Sequence, residues 1–118
     1  MREPPAIESF AGGGFRVNGV WRAGSLLVLA DAPRDWRPTE LSDVTAQDLR
    51  QVLESPAGSV EFLLLGVGAV QALPPKPVRA ALAAAGLGLE YMATEPAARM
   101  HNVLASQGRL FATALIAV

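Results

Sequence analysis

The chain has 118 residues, 51% of them apolar, with 10 basic and 11 acidic side chains and a formal net charge of -1. That length fits a single domain, residues 1–118, around one sizeable core, and the near-neutral charge leaves no field that would steer the protein toward nucleic acid or an anionic membrane surface. With no cysteine present, disulfides, thiolate nucleophiles, iron–sulfur ligation and cysteine-based zinc sites are all excluded.

The opening "MREPPAIESF" places acidic residues and prolines where a secretory signal would need a basic start and an apolar run. "GGFRVNGVWRAGSLLVLA" follows, with Asn18-Gly19 between two β-prone runs, the short-range signal of a hairpin. It predicts strands over Gly14 to Val17 and Val20 to Ala30. From Asp31 to Asp43 the two prolines and alternating charges break either periodicity and predict a loop that carries Trp36. Thr45 then opens a helix, with Asp48 placed to answer the cap and Ser55-Pro56 ending it.

Val60 to Leu65 is almost continuously apolar, as suits a strand covered on both faces. The run to Val70, counting glycines, reaches nine residues, well short of the roughly 20 that cross a bilayer as a helix. A cytoplasmic protein without direct membrane insertion is therefore expected. A second helix is predicted with Pro77 at its first position, a stripe of Val78, Ala81, Leu82 and Ala85, and Gly86 at its end. Leu87 to Ala93 reads as a strand. Thr94 reads as the cap of a third helix reaching Gln107, with Gly108 terminating it, and the closing "RLFATALIAV" reads as a central strand. Strands alternating with helices after an opening hairpin predict a three-layer α/β domain around a mixed sheet.

Residues that could carry chemistry are few. Gly66 and Gly68 fit the first two glycines of a dinucleotide fingerprint, but Gln71 occupies the third position and Pro74-Pro75 delays the helix that would receive the pyrophosphate. His101 is the one histidine, so no histidine-rich metal site can form within the chain, and no Gly-x-Ser-x-Gly elbow accompanies it. On the third helix it falls at the edge of the stripe Ala97, Met100, Val103, Leu104, a boundary position. Arg99, Asn102 and Ser106 share the opposite face with Glu95, which is spaced to pair with Arg99. Glu90 lies near the carboxyl end of a strand, where open α/β sheets hold ligands, and is expected to be at least partly buried against Asn102, Arg99 or backbone amides.

Taken in order, "GGFRVNG", "GSLLVL", "LLLGVG", "LGLEYMATEPAARMHNVLASQGR" and "ALIAV" resemble the family of small uncharacterised bacterial and archaeal proteins grouped with mitochondrial respiratory complex I assembly factor 3. The resemblance spans nearly the whole chain. It implies a three-layer α/β fold with a central five-stranded mixed sheet, its last strand antiparallel, and a β-hairpin layer beside the helices. It implies no established enzymatic activity and no cofactor. Where relatives often carry Gly-Thr-Gly, Met-Asp-Thr and Cys-Arg-Thr-Tyr-Asn, this chain has Gly66-Val67-Gly68, Met92-Ala93-Thr94 and Ala98-Arg99-Met100-His101-Asn102. Each change removes a hydroxyl, a thiol or a carboxylate, so packing and docking roles survive better than catalysis.

The expectation is a non-catalytic protein-interaction module, possible in the assembly of a membrane or respiratory complex, with a protein as partner and no metal. The alternative is a small anionic-ligand site at the strand ends near Gly66, Gly68, Thr94 and Arg99, where helix-terminal amides favour negative charge. Trp36, between charged residues and prolines, has two readings: a docking aromatic presented to a partner, or a lid folded over one edge of the sheet.

Overall fold

Phe62–Gly66 is apolar throughout, and such a run is buried only where both faces of its strand are covered. The computed structural model, which describes residues 4–118, covers both. In chain order the elements are β1 (Ile7–Ser9), β2 (Gly14–Val17), β3 (Val20–Ala23), β4 (Ser25–Leu29), β5 (Ala32–Trp36), α1 (Arg50–Leu53), β6 (Phe62–Gly66), α2 (Lys76–Ala84), β7 (Gly88–Met92), α3 (Thr94–Ser106) and β8 (Phe111–Leu115). Two short 3₁₀ turns, Leu41–Asp43 and Ala46–Leu49, precede α1.

The large sheet has five strands in the order β5-β4-β8-β6-β7, and the small one is an antiparallel β1-β2-β3. Alternation along β6 separates two apolar clusters. Leu63 and Leu65 point to the side of α1 and α2, with Val52, Val78 and Leu82. Phe62 and Leu64 point to α3 and the small sheet, with Ala97, Leu104, Phe15 and Val17. The result is the expected three-layer α/β domain with its mixed five-stranded centre.

Strand β8 is parallel to β6 on one side and antiparallel to β4 on the other, so the last strand is antiparallel to only one of its neighbours. It reaches β6 through α3, a crossover that enforces parallel pairing, and the β4–β5 hairpin fills its other side. The predicted strand from Val20 to Ala30 is broken at Gly24, where φ is 83°. A side chain is strained there, and the turn hands the chain from the small sheet to the large one.

The predicted loop from Asp31 to Asp43 contains β5. Its hairpin turn uses Ala30 and Asp31 at φ 53° and 62°, without the glycine that usually marks such a turn. Thr45 and Asp48 form the anticipated capping box, but the turn they begin is 3₁₀ before it becomes α1. Pro77 stands second in α2, since the helix starts at Lys76. Thr94 is the first residue of α3 and Ala93 the cap. Strand β1 has no counterpart among the predicted elements.

Candidate functional site

The carboxyl ends of β6, β7 and β8 meet at the start of α3, and Thr94 joins them. Its side chain is fully buried. The hydroxyl donates to the Ile116 carbonyl at 2.7 Å and accepts from the Gly68 amide at 3.0 Å. The Thr94 amide in turn donates to the Gly68 carbonyl at 2.8 Å, and the Ile116 amide to that of Gly66 at 2.9 Å. A Cβ on Gly66 would stand 2.7 Å from a Leu115 methyl and 3.1 Å from the Thr94 hydroxyl, so this glycine lets helix and sheet approach each other. The structure thus brings Gly66, Gly68 and Thr94 together in a knot in which Gly68 and Thr94 bond each other and Gly66 and Thr94 each bond Ile116. A cleft of about 430 Å³ opens beside it, lined by Leu41, Val67, Gly68, Val70 and Ile116.

Arg99 and Asn102 serve the amino-terminal layer instead. Arg99 is exposed, pairs with Glu95 at 3.6 Å and lies 5.6 Å from the Phe10 ring centre. Asn102 accepts from the Ile7 amide at 3.0 Å and donates to the Ile7 carbonyl at 2.8 Å, pairing with β1 as a strand residue would. His101 is fully buried rather than at a boundary. Its Nε2 lies 2.8 Å from the Pro5 carbonyl, which can only accept, so Nε2 carries a proton. Its Nδ1 lies 2.8 Å from the Thr113 hydroxyl. The buried face of α3 is therefore Thr94, Ala97, Ala98, His101 and Leu104, while Met100 and Val103 of the anticipated stripe are exposed.

Trp36 takes the lid position. It is buried at the end of β5, and its indole N–H donates to the Asp48 carbonyl at 2.9 Å. Around it Arg37 grips the Asp48 carboxylate with two hydrogen bonds of 2.7 Å. That guanidinium, helped by the Thr45 amide and hydroxyl and opposed by partial burial, holds the Asp48 carboxyl below its ordinary range. The rest of this edge is guarded too. Arg34 donates to Gln51 and the Leu29 carbonyl, and Asp35 pairs with Arg22 of β3 at 3.2 Å.

Glu90 departs from expectation. It is exposed, and among the described residues no group meets its carboxylate, since Asn102 binds Ile7 and Arg99 binds Glu95. The cause is topological: β7 is the outermost strand of the large sheet, and its side chains reach the rim of α3. There Glu90 borders a groove of about 270 Å³ with Phe62, Met92, Met100, Leu104 and Arg109, whose guanidinium lies 5.1 Å from the Phe62 ring centre. Residue-by-residue reading missed this groove. Its sequence signal is Met100, an apolar position on α3 beyond what the sheet covers.

The described residues hold no group of three or more His, Asp or Glu that could bind a metal, and no helix among them is long and apolar enough to cross a membrane. An uncharacterised protein of Rhodobacter capsulatus is 39% identical over 110 residues, 93% of this chain and 82% of the relative. The NADH dehydrogenase [ubiquinone] 1 alpha subcomplex assembly factor 3 of Danio rerio is 33% identical over 112 residues, 93% of this chain, which spans 63% of that relative. A crystal structure described as an outer membrane protein from Bartonella henselae superposes with a TM-score of 0.90 at 29% identity, over 98% of this chain and 96% of that one. Residues 7–116 match the family model described as "Protein of unknown function (DUF498/DUF598)", and the chain belongs to that family.

Proposed function

We propose that this chain is a non-catalytic protein-interaction module that assists the assembly of a membrane or respiratory complex. The observation that carries this reading is the closed knot at the strand ends. An open α/β sheet normally holds its ligand at that place, whereas here the Thr94 hydroxyl is taken up by the Gly68 amide and the Ile116 carbonyl, and the Thr94 amide by the Gly68 carbonyl. Groups bonded in this way hold layers together, which supports a docking role over a catalytic one. Kinship with the assembly factor of Danio rerio supplies the class of process.

The test is affinity purification of the tagged chain from its own host, with recovery of a recurrent stoichiometric subunit of a membrane complex as the expected result. Absence of any stoichiometric partner would overturn the reading. A thermal-shift screen of phosphates, nucleotides and carboxylates separates the small-ligand alternative, because a ligand at about 100 times its Kd stabilises by roughly 2.7 kcal/mol. A reproducible hit would replace docking with a small-ligand site.

A further inference from the structure

We propose that the partner docks on the outer edge of β7, adding an extended segment to the large sheet as a sixth strand with a lysine or arginine opposite Glu90; this rests on the interaction-module reading. The backbone fixes where such a strand can bind. Gly88 donates its amide to the Glu61 carbonyl, and Met92 accepts from the Val67 amide, so residues 88, 90 and 92 turn their peptide groups toward β6. Alternation then turns the N–H and C=O groups of Leu89 and Tyr91 outward, where β7 has no neighbouring strand among the described residues. An unpaired strand edge is a template for β-augmentation, in which main-chain bonds give affinity and pockets for alternate side chains give specificity.

The side chains define the occupant. Those of Leu89 and Tyr91 pack toward α2, and those of Glu90 and Met92 face α3 and the groove lined by Phe62, Met100 and Leu104. Every second residue of an added strand would enter this apolar groove, and the one opposite Glu90 would meet a carboxylate that has no partner among the described residues. Opposite charges directly across a sheet stabilise and like charges destabilise. A second copy of this chain is thereby disfavoured. Antiparallel pairing of two β7 strands at full overlap is centred on residue 90 and sets Glu90 against Glu90.

The experiment measures amide hydrogen exchange on the full chain with two short synthetic peptides. Each alternates leucine with threonine, and the central leucine is replaced by lysine in one and by glutamate in the other. The lysine peptide should slow exchange at Leu89 and Tyr91, leave Gly88 and Glu90 unchanged, and bind at least about threefold tighter than the glutamate peptide. Glu90→Lys should reverse the preference, and Tyr91→Pro, which removes an outward N–H, should abolish binding. If proline disturbs the fold, the Glu90→Lys reversal decides alone.

Failure of the lysine peptide to bind, binding that leaves Leu89 and Tyr91 exchange unchanged, or protection of these amides by raising the protein concentration alone would overturn the proposal. Its failure is separable from that of the broader reading. A host partner recovered equally by the wild-type chain and Tyr91→Pro removes the edge and keeps the module, whereas no partner for either removes the module.

Discussion

The two edges of the large sheet are built differently. At β5 the Val28–Pro33 pair lies next to the Leu29–Ala32 pair that closes the hairpin, so Pro33 turns its missing N–H outward. Asp35 is tied to Arg22, and Trp36 seals the strand end against Asp48. At β7 the edge has no proline and one charge, and that charge stands without a partner among the described residues. Natural sheets suppress edge pairing with prolines, charges and covering segments. This chain applies those devices to one side and leaves the other side a backbone template with a single discriminating carboxylate.

The contrast breaks most visibly at Trp36. Trp36→Ala should lower stability by about 3–5 kcal/mol, read as a lower denaturation midpoint, because a large buried ring is removed. A midpoint close to that of the wild type would mean that the β5 edge is not sealed. Asp48→Ala should cost about 1 kcal/mol, as for the loss of a capping side chain, since the exposed Arg37 and Thr45 donors turn to water instead. The pH dependence has a definite sign. Arg37 holds the Asp48 carboxyl below its ordinary range, so its contribution is present above roughly pH 4 and fades as pH falls through the lowered value. Wild-type and Asp48→Ala midpoints should therefore converge in acid, and a constant gap would argue against the ion pair.

Smaller effects sharpen the comparison. Pro33→Val should shift stability by no more than about 0.5 kcal/mol while supplying an outward N–H, so concentration-dependent self-association in sedimentation velocity is the expected change. Glu90→Ala should be neutral within the same margin, as for an exposed side chain with no partner to strand. A loss above about 1 kcal/mol would return Glu90 to the buried role that its position in the sequence suggests.

How much of this could be read from residues alone varied with how local the cause was. Long apolar runs and capping signals placed β6, α2 and α3, because burial on both faces and cap chemistry act within a few positions, while the order of the layers came from the family resemblance. Strand β5 was hidden because its turn reaches positive φ at Ala30 and Asp31, and because Pro33 is compatible with a strand only at an edge. Which strand lies outermost is set by tertiary order, and the exposure of Glu90 follows from that order. Grouping Gly66, Gly68 and Thr94 was legible from their place at the strand ends. That Gly66 and Thr94 are tied together through Ile116 depends on the path of β8, far along the chain.

The attachment of the first segment to α3 bears on how the molecule is made. Pro5 and Ile7 are held by His101 and Asn102, more than ninety positions later, and the Gly13 amide donates to the carbonyl of Val118. During synthesis Pro5 and Ile7 must therefore wait for His101 and Asn102 to emerge before their layer can close. Contacts of such wide sequence separation are slow to form and leave apolar surface uncovered meanwhile. Phe15 and Val17 belong to the cluster that this closure completes, so the nascent chain carries an open hydrophobic flank until α3 and β8 have emerged.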